Sequence, residues 1–266
     1  MASTRVSLHC SSRGAVVDYS IIIPAYNEEE LLPRTLAALA AAMATTDLAG
    51  EIVVTDNNST DATATVAAAH GARVVFEPIN QISRARNCGA AAALGDFLIF
   101  VDADTVVSPE LLGAALRALA EGKTCGGGAT IATSDRVGKT AARSLAMWNR
   151  LAPVFGLAAG CFVFCLREGW EATGGFPTSV YASEELWFSR ALRRWGKRRG
   201  LRFRVLPEKV DTSMRKLVWF TPRQVVWRML SFLLFPWRLR RREACDLWYR
   251  RPGDSKGSQD KDSRHA

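Results

Sequence analysis

The chain has 266 residues, 48% of them apolar and 23% charged, which is typical of a folded protein with a sizeable core. Its six cysteines show no CxxC pair and no zinc-ligand spacing, which excludes a zinc ribbon and predicts reduced thiols. The first residues lack the apolar core of a signal peptide, and no stretch is long and apolar enough to span a membrane. We therefore expect a cytoplasmic protein.

The net charge of +9 is distributed unevenly along the chain. Residues 1–189 carry a net charge of −6, residues 190–251 a net charge of +15, and residues 252–266 none. A basic segment on an acidic body indicates an anionic partner for that segment. By charge alone, nucleic acid and an anionic membrane surface both qualify.

Strands and helices alternate in the first hundred residues. The pattern predicts strands at 18–24, 51–55, 72–77 and 97–101, and helices at 28–43, 62–70 and 83–94, the last with Ser83 as N-cap. This alternation predicts right-handed βαβ units and a parallel sheet with both faces covered. The second half is less regular. Strands are predicted at 126–134, 160–166 and 202–206, and helices at 139–151 and 183–195.

A basic amphipathic helix is predicted between residues 221 and 242. Its apolar residues recur at helical spacing and are Trp227, Leu230, Leu233, Leu234 and Trp237, with arginines around them. Such a helix can lie in a membrane interface. Alternatively, its apolar face packs on the sheet and the arginines are solvated. Pro236 should break or kink the helix.

Two carboxylates directly follow the strongest strand of the chain. The apolar run FLIFV (97–101) leads into Asp102 and Asp104, and a helix start at Ser108 follows. In open α/β sheets, ligands bind outside the carboxyl ends of the strands. Two acids at such a place are costly unless a positive group meets them, and a hard divalent cation carrying phosphate oxygens suits them. The sequence therefore predicts a site for a metal and a diphosphate, and from it a nucleotide-sugar donor.

Further polar groups are expected at the same edge of the sheet. Strand one ends in PAYNE (24–28) and strand two in Asp56. Taken singly, Asn27 and Ser59 could be helix caps and Asp56 a turn former. Arg84 and Arg86 open the third helix, where they could jointly hold an anion or form a surface pair.

Glu184 and Glu185 open the helix EELWFSRALRRW. Acids in a first helical turn are favourable for the helix dipole alone. A sugar transfer, however, needs one carboxylate that takes a proton from the acceptor hydroxyl, on an element apart from the metal acids. This pair is the best candidate in the second half. The histidines lie in the tails or at a helix end.

Four segments together resemble glycosyltransferase family 2, in order and at the usual spacing, over about residues 18–250. They are YSIIIPAYNEEELLPRTL, EIVVTDNNSTDATATV, NQISRARNCGAAAALGDFLIFVDADT and GGFPTSVYASEELWFSRAL. The resemblance implies an α/β GT-A fold, a single mostly parallel central sheet flanked by helices, with a nucleotide-binding half and an acceptor-binding half. We divide the chain into an extension (1–17), the GT-A domain (18–217), a basic amphipathic helical segment (218–251) and a disordered tail (252–266).

The resemblance also assigns roles by position. Pro24, Tyr26 and Glu28 resemble residues that hold the nucleoside, and Asp56 the acid that hydrogen-bonds the base. Arg86 matches an arginine near the nucleotide, and Asp102 and Asp104 match the DxD motif, with Asp104 as the direct Mg²⁺ or Mn²⁺ ligand. Glu185 falls where the family has an aspartate base, and because it is a glutamate here, Glu184 remains a rival.

The implied reaction is an inverting transfer of a single sugar from a UDP- or GDP-linked donor to an acceptor hydroxyl. The processive QxxRW motif is replaced by Gln224-Val225-Val226-Trp227-Arg228, which favours one transfer over polymer synthesis. The alternatives are a non-catalytic nucleotide-sugar-binding relative and a sugar nucleotidyltransferase, although the latter needs a glycine-rich loop that PAYNEEE lacks. We expect a glycan, lipid-linked or small-molecule acceptor, no nucleic acid, and a cytoplasmic protein that can bind the anionic inner membrane face peripherally.

Overall fold

The computed structural model describes residues 17–135, 138–213, 227, 231–232 and 234–249. The strands are β1 (Tyr19–Ala25), β2 (Gly50–Asp56), β3 (Arg73–Phe76), β4 (Phe97–Val101), β5 (Thr105–Val106), β6 (Thr124–Ala132), β7 (Phe162–Leu166) and β8 (Arg202–Thr212). The helices are α1 (Leu32–Met43), α2 (Thr63–Ala69), α3 (Ile82–Ala92), α4 (Pro109–Ala120), α5 (Lys139–Phe155), α6 (Arg167–Thr173), α7 (Glu184–Lys197) and α8 (Asp246–Tyr249).

All eight described strands form one sheet, in the order β3-β2-β1-β4-β7-β6-β8-β5. The first four run parallel, as the βαβ pattern predicts. Strand β7 is antiparallel to both β4 and β6, and β8 is parallel to β6 and antiparallel to β5. Four of these seven neighbouring pairs are parallel, which confirms a mostly parallel central sheet.

Helices cover both faces of the sheet. Ile21 and Ile23 of β1 point to one face, in the same core as α1 and α4, whereas Ile22 points to the other, with residues of α3 and α7. Successive side chains of a strand alternate between its faces. Because both faces are covered, β1 is apolar on both sides, which explains its uninterrupted apolar run.

Several element boundaries differ from those predicted. Helix α1 begins at Leu32 rather than at residue 28, because the Glu28 amide donates to the Thr63 hydroxyl (2.7 Å) and Pro33 opens the helix. Gln81, not Ser83, is the N-cap of α3, and Ser83 is buried in its first turn. Strand β8 runs to Thr212, where it pairs with the short, unpredicted β5. Helix α6 was also not predicted.

The carboxyl-terminal helical prediction falls largely outside the described residues. The helical conformation ends at Pro236, as predicted: Leu234 is helical, whereas Pro236–Arg240 form a 3₁₀ turn. A second 3₁₀ turn at Arg242–Cys245 and helix α8 follow. Of the residues predicted to share one helical face, Trp237 therefore lies beyond the helix. The predicted extension before Val17 and the tail from residue 252 are outside the described part. No helix among the described residues is long and apolar enough to cross a membrane.

Candidate functional site

The loops after β1 and β2 are joined by hydrogen bonds at the carboxyl ends of these parallel strands. Asn27, which adopts a φ of +52°, donates its amide N–H to the Ser59 hydroxyl (3.0 Å), and its side-chain oxygen accepts from the Thr60 amide (2.8 Å). Asp56 accepts from the Ser59 amide (3.0 Å) and is buried. Asn27 and Ser59 thus join two loops and do not cap helices, whereas Asp56 does form a turn.

The other nucleoside-binding candidates lie at the same edge. Pro24 is near the end of β1, Tyr26 directly follows that strand, and Glu28 is buried three residues beyond its end. Asp56 ends the neighbouring strand β2, paired with Ala25. The structure therefore brings these four residues to one edge, and their role towards a nucleoside stays a prediction.

Arg86 is the centre of the candidate site. Its side chain is 3% exposed and donates to Glu184 Oε1 (2.6 Å), Asp102 Oδ1 (2.9 Å) and the Gly160 carbonyl (2.9 Å). A buried cation is strongly unfavourable without such partners. One guanidinium therefore joins helix α3, the end of β4, the loop before β7 and the start of α7.

Arg84 has a different partner. Its Nε donates to Glu77 Oε1 (3.0 Å), just after β3, and its side chain is 36% exposed. The two arginines therefore bind different carboxylates and do not share one anion in this structure. A role for Arg84 in donor binding stays a prediction.

The two glutamates that open α7 are in different situations. Glu184 is buried and forms the ion pair with Arg86. Glu185 is partly exposed and lies beside Gly160, where an added Cβ would be 3.6 Å from its carboxyl carbon. Burial, followed by the neighbouring Glu184 charge, raises the pKa of Glu185 to about 8, although Arg86 acts in the opposite direction. The two glutamates therefore differ: Glu184 is ion-paired with Arg86, whereas burial and a neighbouring negative charge disfavour the ionised form of Glu185.

Asp102 and Asp104 follow β4 as predicted. The Asp102 side chain is 30% exposed and shares Arg86 with Glu184, while its carbonyl accepts from the Thr105 amide (3.1 Å). Asp104 is partly exposed and lines a cleft of about 90 Å³ together with Thr35, Asp211 and Ser213. Among the described residues, no group of three or more His, Cys, Asp or Glu side chains could hold a metal ion by itself. The two carboxylates supply hard oxygen ligands, which fit Mg²⁺ or Mn²⁺ carried by a diphosphate.

Two polar residues that the sequence analysis missed, the N-cap Gln81 and Asn87 within α3, bind the loop that leads into α7. Gln81 donates from its side chain to the carbonyls of Thr178 (2.8 Å) and Val180 (3.0 Å). The Asn87 side chain bonds both backbone groups of Phe176, at 2.7 Å and 2.9 Å. Their roles gave no sequence signal, because these backbone partners lie 89–99 positions away along the chain.

The fold and the site define a class. An eight-stranded mixed sheet, with helices on both faces and paired aspartates after its fourth strand, has the GT-A architecture. The sequence profile described as glycosyl transferase family 2 matches residues 20–164, more than half of the chain. The chain belongs to glycosyltransferase family 2.

Similar proteins include enzymes and uncharacterised chains. An uncharacterised glycosyltransferase of Mycobacterium tuberculosis is 45% identical over 85 residues, which are 32% of this chain and 36% of that protein. The matched stretch thus spans about a third of that curated relative. Glucosyl-3-phosphoglycerate synthase from Mycobacterium tuberculosis, solved with Mn²⁺, UDP and glucosyl-3-phosphoglycerate, superimposes with a TM-score of 0.59 at 20% identity, covering 86% of this chain and 84% of that one.

A mannosyltransferase from Pyrobaculum calidifontis, solved with GDP-mannose and Mn²⁺, gives a TM-score of 0.59 at 20% identity, covering 79% of this chain and 59% of that one. At this identity the solved structures establish the fold. The family match ends at residue 164, before both glutamates of α7.

Proposed function

We propose that this protein transfers a single sugar, with inversion, from a nucleoside-diphosphate sugar to an acceptor hydroxyl. The observation that carries the proposal is the triple contact of Arg86, which joins Asp102 at the end of β4 to Glu184 and to the Gly160 carbonyl, beside which Glu185 lies. Arg86 thus links the acid at the proposed diphosphate site to the start of the helix that carries the proposed base. The neighbouring folds that bind UDP or GDP-mannose support the choice of donor.

The donor side of the proposal uses the edge formed by β1, β2 and β4. Asp104, assisted by Asp102, would hold Mg²⁺ or Mn²⁺, and the ion when bound would offset charge on the diphosphate. Pro24, Tyr26, Glu28 and Asp56 would hold the nucleoside at the adjacent strand ends. Neighbouring enzymes solved with Mn²⁺ support the choice of a divalent ion.

On the acceptor side, Glu185 is the proposed base. It takes the proton from the acceptor hydroxyl as that oxygen attacks the anomeric carbon from the face opposite the diphosphate, which inverts the configuration. Glu184 is engaged by Arg86 at 2.6 Å and is less free to accept a proton. Of the two glutamates that the sequence leaves open, we therefore propose Glu185.

A screen of UDP- and GDP-linked sugars, read by release of free nucleotide with Mn²⁺ present, tests this function. We expect nucleotide release with one donor, and release slower by about a hundredfold or more from the Asp104→Asn variant. Pyrophosphate formation from a sugar phosphate and a nucleoside triphosphate would instead indicate a nucleotidyltransferase. Donor binding without turnover, with any hydroxyl acceptor offered, would indicate a non-catalytic relative.

We also propose an anionic membrane surface as a partner of the cytoplasmic protein, with a lipid-linked acceptor as the leading choice over a soluble glycan or small molecule. Two exposed surfaces support it. The first surface lies in the basic segment 218–251, which follows the proposed GT-A domain (18–217) in the chain. Its apolar residues Leu234, Phe235 and Trp237 are 66%, 43% and 58% exposed. The arginines beside them, at positions 238, 240 and 241, are exposed as well.

The second surface is the outer face of α5. Met147, Leu151, Val154 and Phe155 are 40–73% exposed and recur at helical spacing on one side. The helix carries basic but no acidic residues, although residues 1–189 are acidic overall. An apolar face among positive charges is complementary to anionic lipid. A second copy of the helix would instead bring like charges together.

Co-sedimentation of the full chain with phosphatidylglycerol vesicles tests the membrane partner, with phosphatidylcholine vesicles as the comparison. We expect binding to the anionic vesicles, weakened by Trp237→Glu and by Val154→Glu. Leu94→Glu is the matched control, because Leu94 is 66% exposed at the opposite edge of the sheet, before β4. Equal partitioning of all four proteins would overturn the proposal, and light scattering would reveal a dimer in its place.

A further inference from the structure

The segment from Pro236 to Tyr249, here called the carboxyl segment, packs against the loop that leads into α7. The Tyr181 amide donates to the Leu239 carbonyl (2.7 Å). Val180 and Ala182 of that loop share a small buried cluster with Leu239 and Cys245. The carboxyl segment is therefore built into the same half of the molecule as Glu184 and Glu185, although the sequence separates it as an extension.

The last described residue of this segment reaches helix α3. The Tyr249 hydroxyl accepts from the Ile82 amide (3.3 Å), and Ile82 is the first residue of α3. The first amides of a helix have no partner within the helix, so this bond satisfies a group that would otherwise be unpaired. Arg242 contacts the Tyr249 ring, with its guanidinium 5.1 Å from the ring centroid. The same guanidinium donates a hydrogen bond to the Asn80 side chain (2.8 Å).

Arg86 lies one helical turn after Ile82, so the position of this first turn decides where the guanidinium lies. Burial, followed by the charge of Glu184, raises the pKa of Tyr249, which keeps its hydroxyl protonated.

We propose that Tyr249 is a positioning residue for sugar transfer: by holding the first turn of α3, it keeps Arg86 in contact with both Asp102 and Glu184. This inference rests on the proposed function, since it concerns the geometry of the same site. It assigns a role to a residue 167 positions away from its partner in the chain.

The variant Tyr249→Phe removes the hydroxyl and keeps the ring. We expect kcat to fall about tenfold, the size of one lost hydrogen bond, and donor binding to weaken as well, because Arg86 also holds Asp102 at the proposed donor edge. Tyr181→Phe is the matched control, because Tyr181 packs edge-on against Tyr249 at 5.8 Å between ring centroids in the same cluster. We expect it to keep the wild-type kcat.

A titration of the Glu185 carboxyl by ¹³C NMR, in the metal-free full chain, gives a readout that does not depend on turnover. Arg86 lowers the pKa of Glu185, whereas Glu184 and Asp102 raise it. A displaced Arg86 should therefore raise the pKa of Glu185 in Tyr249→Phe and not in Tyr181→Phe. The same rise in the pKa of Glu185 should move the acidic limb of the pH dependence of kcat to higher pH.

The outcomes separate the two proposals. If no donor is turned over by the wild-type protein but the Glu185 titration shifts in Tyr249→Phe, then Tyr249 does hold Arg86 in place and it is the proposed function that fails. Wild-type turnover with an unchanged kcat and an unchanged titration in Tyr249→Phe overturns the positioning role. So does a loss of kcat that follows the loss of folded protein while the titration stays the same.

Discussion

The two halves of the molecule are assembled over very different distances along the chain. In the half proposed to bind the donor, built from β1 to β4 with α1 to α3 and called the donor half here, the loops after β1 and β2 are joined by bonds between residues 32 and 35 positions apart. The half proposed to bind the acceptor, called the acceptor half, reaches back to α3 over longer distances: Glu184 meets Arg86 across 98 positions and Tyr249 meets Ile82 across 167. The donor half therefore follows local rules, while the proposed site is completed by long-range contacts.

Glu185→Gln should disable the acceptor half alone. Without a base for the acceptor proton, we expect the rate of transfer to fall by about 10²- to 10⁴-fold. Donor affinity, measured by calorimetry, should stay within about twofold, because the donor edge is untouched. Glu184→Gln is the comparison: it should disturb Arg86 and so weaken both donor binding and turnover. Full activity of Glu185→Gln would assign the base elsewhere.

Asp104→Asn should disable the donor half alone. The variant loses a charged ligand for the proposed cation, and we expect turnover in saturating Mn²⁺ to fall by about 10²- to 10³-fold. Its thermal unfolding should match that of the wild type, because Asp104 is partly exposed. Asp96→Asn, at the opposite end of β4, is the control and should be fully active. Metal-independent wild-type activity would contradict this assignment.

Arg86→Met should break the link between the halves. It leaves Glu184 buried without its ion-pair partner, and removing one member of a buried pair costs about 3–5 kcal/mol of unfolding free energy. Arg84→Met removes a pair with Glu77 in which only the arginine is partly exposed (36%), and it should cost less than Arg86→Met, because Arg84 itself is not buried. Chemical denaturation of both variants measures the difference. Equal losses would show that Arg86 is not the structural centre of the site.

Gly160→Ala tests the position of Arg86 without changing a charge. The added methyl group would lie 3.2 Å from Arg86 Nη2, so either the guanidinium or the loop must shift. We expect roughly tenfold lower activity from this misplacement. Gly138→Ala is the control, since a Cβ there meets nothing within 4 Å. An unchanged kcat for Gly160→Ala would show that the loop yields freely.

The raised pKa of Glu185 predicts two pH dependences of opposite sign. Transfer needs the ionised carboxylate, so kcat should rise with pH up to about 8. The free energy of unfolding should change in the opposite direction. The Glu185 carboxyl has a pKa near 4.5 in the unfolded chain and about 8 in the folded one, so the free energy of unfolding falls as the pH rises from 4.5 to about 8. Glu185→Gln should therefore become more stable relative to the wild type over that interval. Parallel stability curves would contradict the raised pKa.

The sequence predicts the donor half well because its signals are local. The strand at 97–101 is found at those bounds, and the N-cap Ser108 accepts from the Leu111 amide as its helix start predicts. The family and the GT-A fold follow from the same half. The ion pair of Arg86 with Glu184 could not be predicted in this way, because neither residue spacing nor hydrophobic periodicity indicates that the two residues are in contact. The contact of Tyr249 with α3 gave no signal in the sequence, since it depends on the packing of the whole carboxyl segment.

Nucleotide affinity as a function of Mn²⁺ tests the central claim most directly. Calorimetry of UDP and GDP with the wild-type chain, in Mn²⁺ and in EDTA, should show one nucleotide bound at least tenfold more tightly with the ion, and Asp104→Asn should lose that gain. Equal affinities in Mn²⁺ and EDTA, or a gain that survives in Asp104→Asn, would contradict a cation held at the end of the fourth strand.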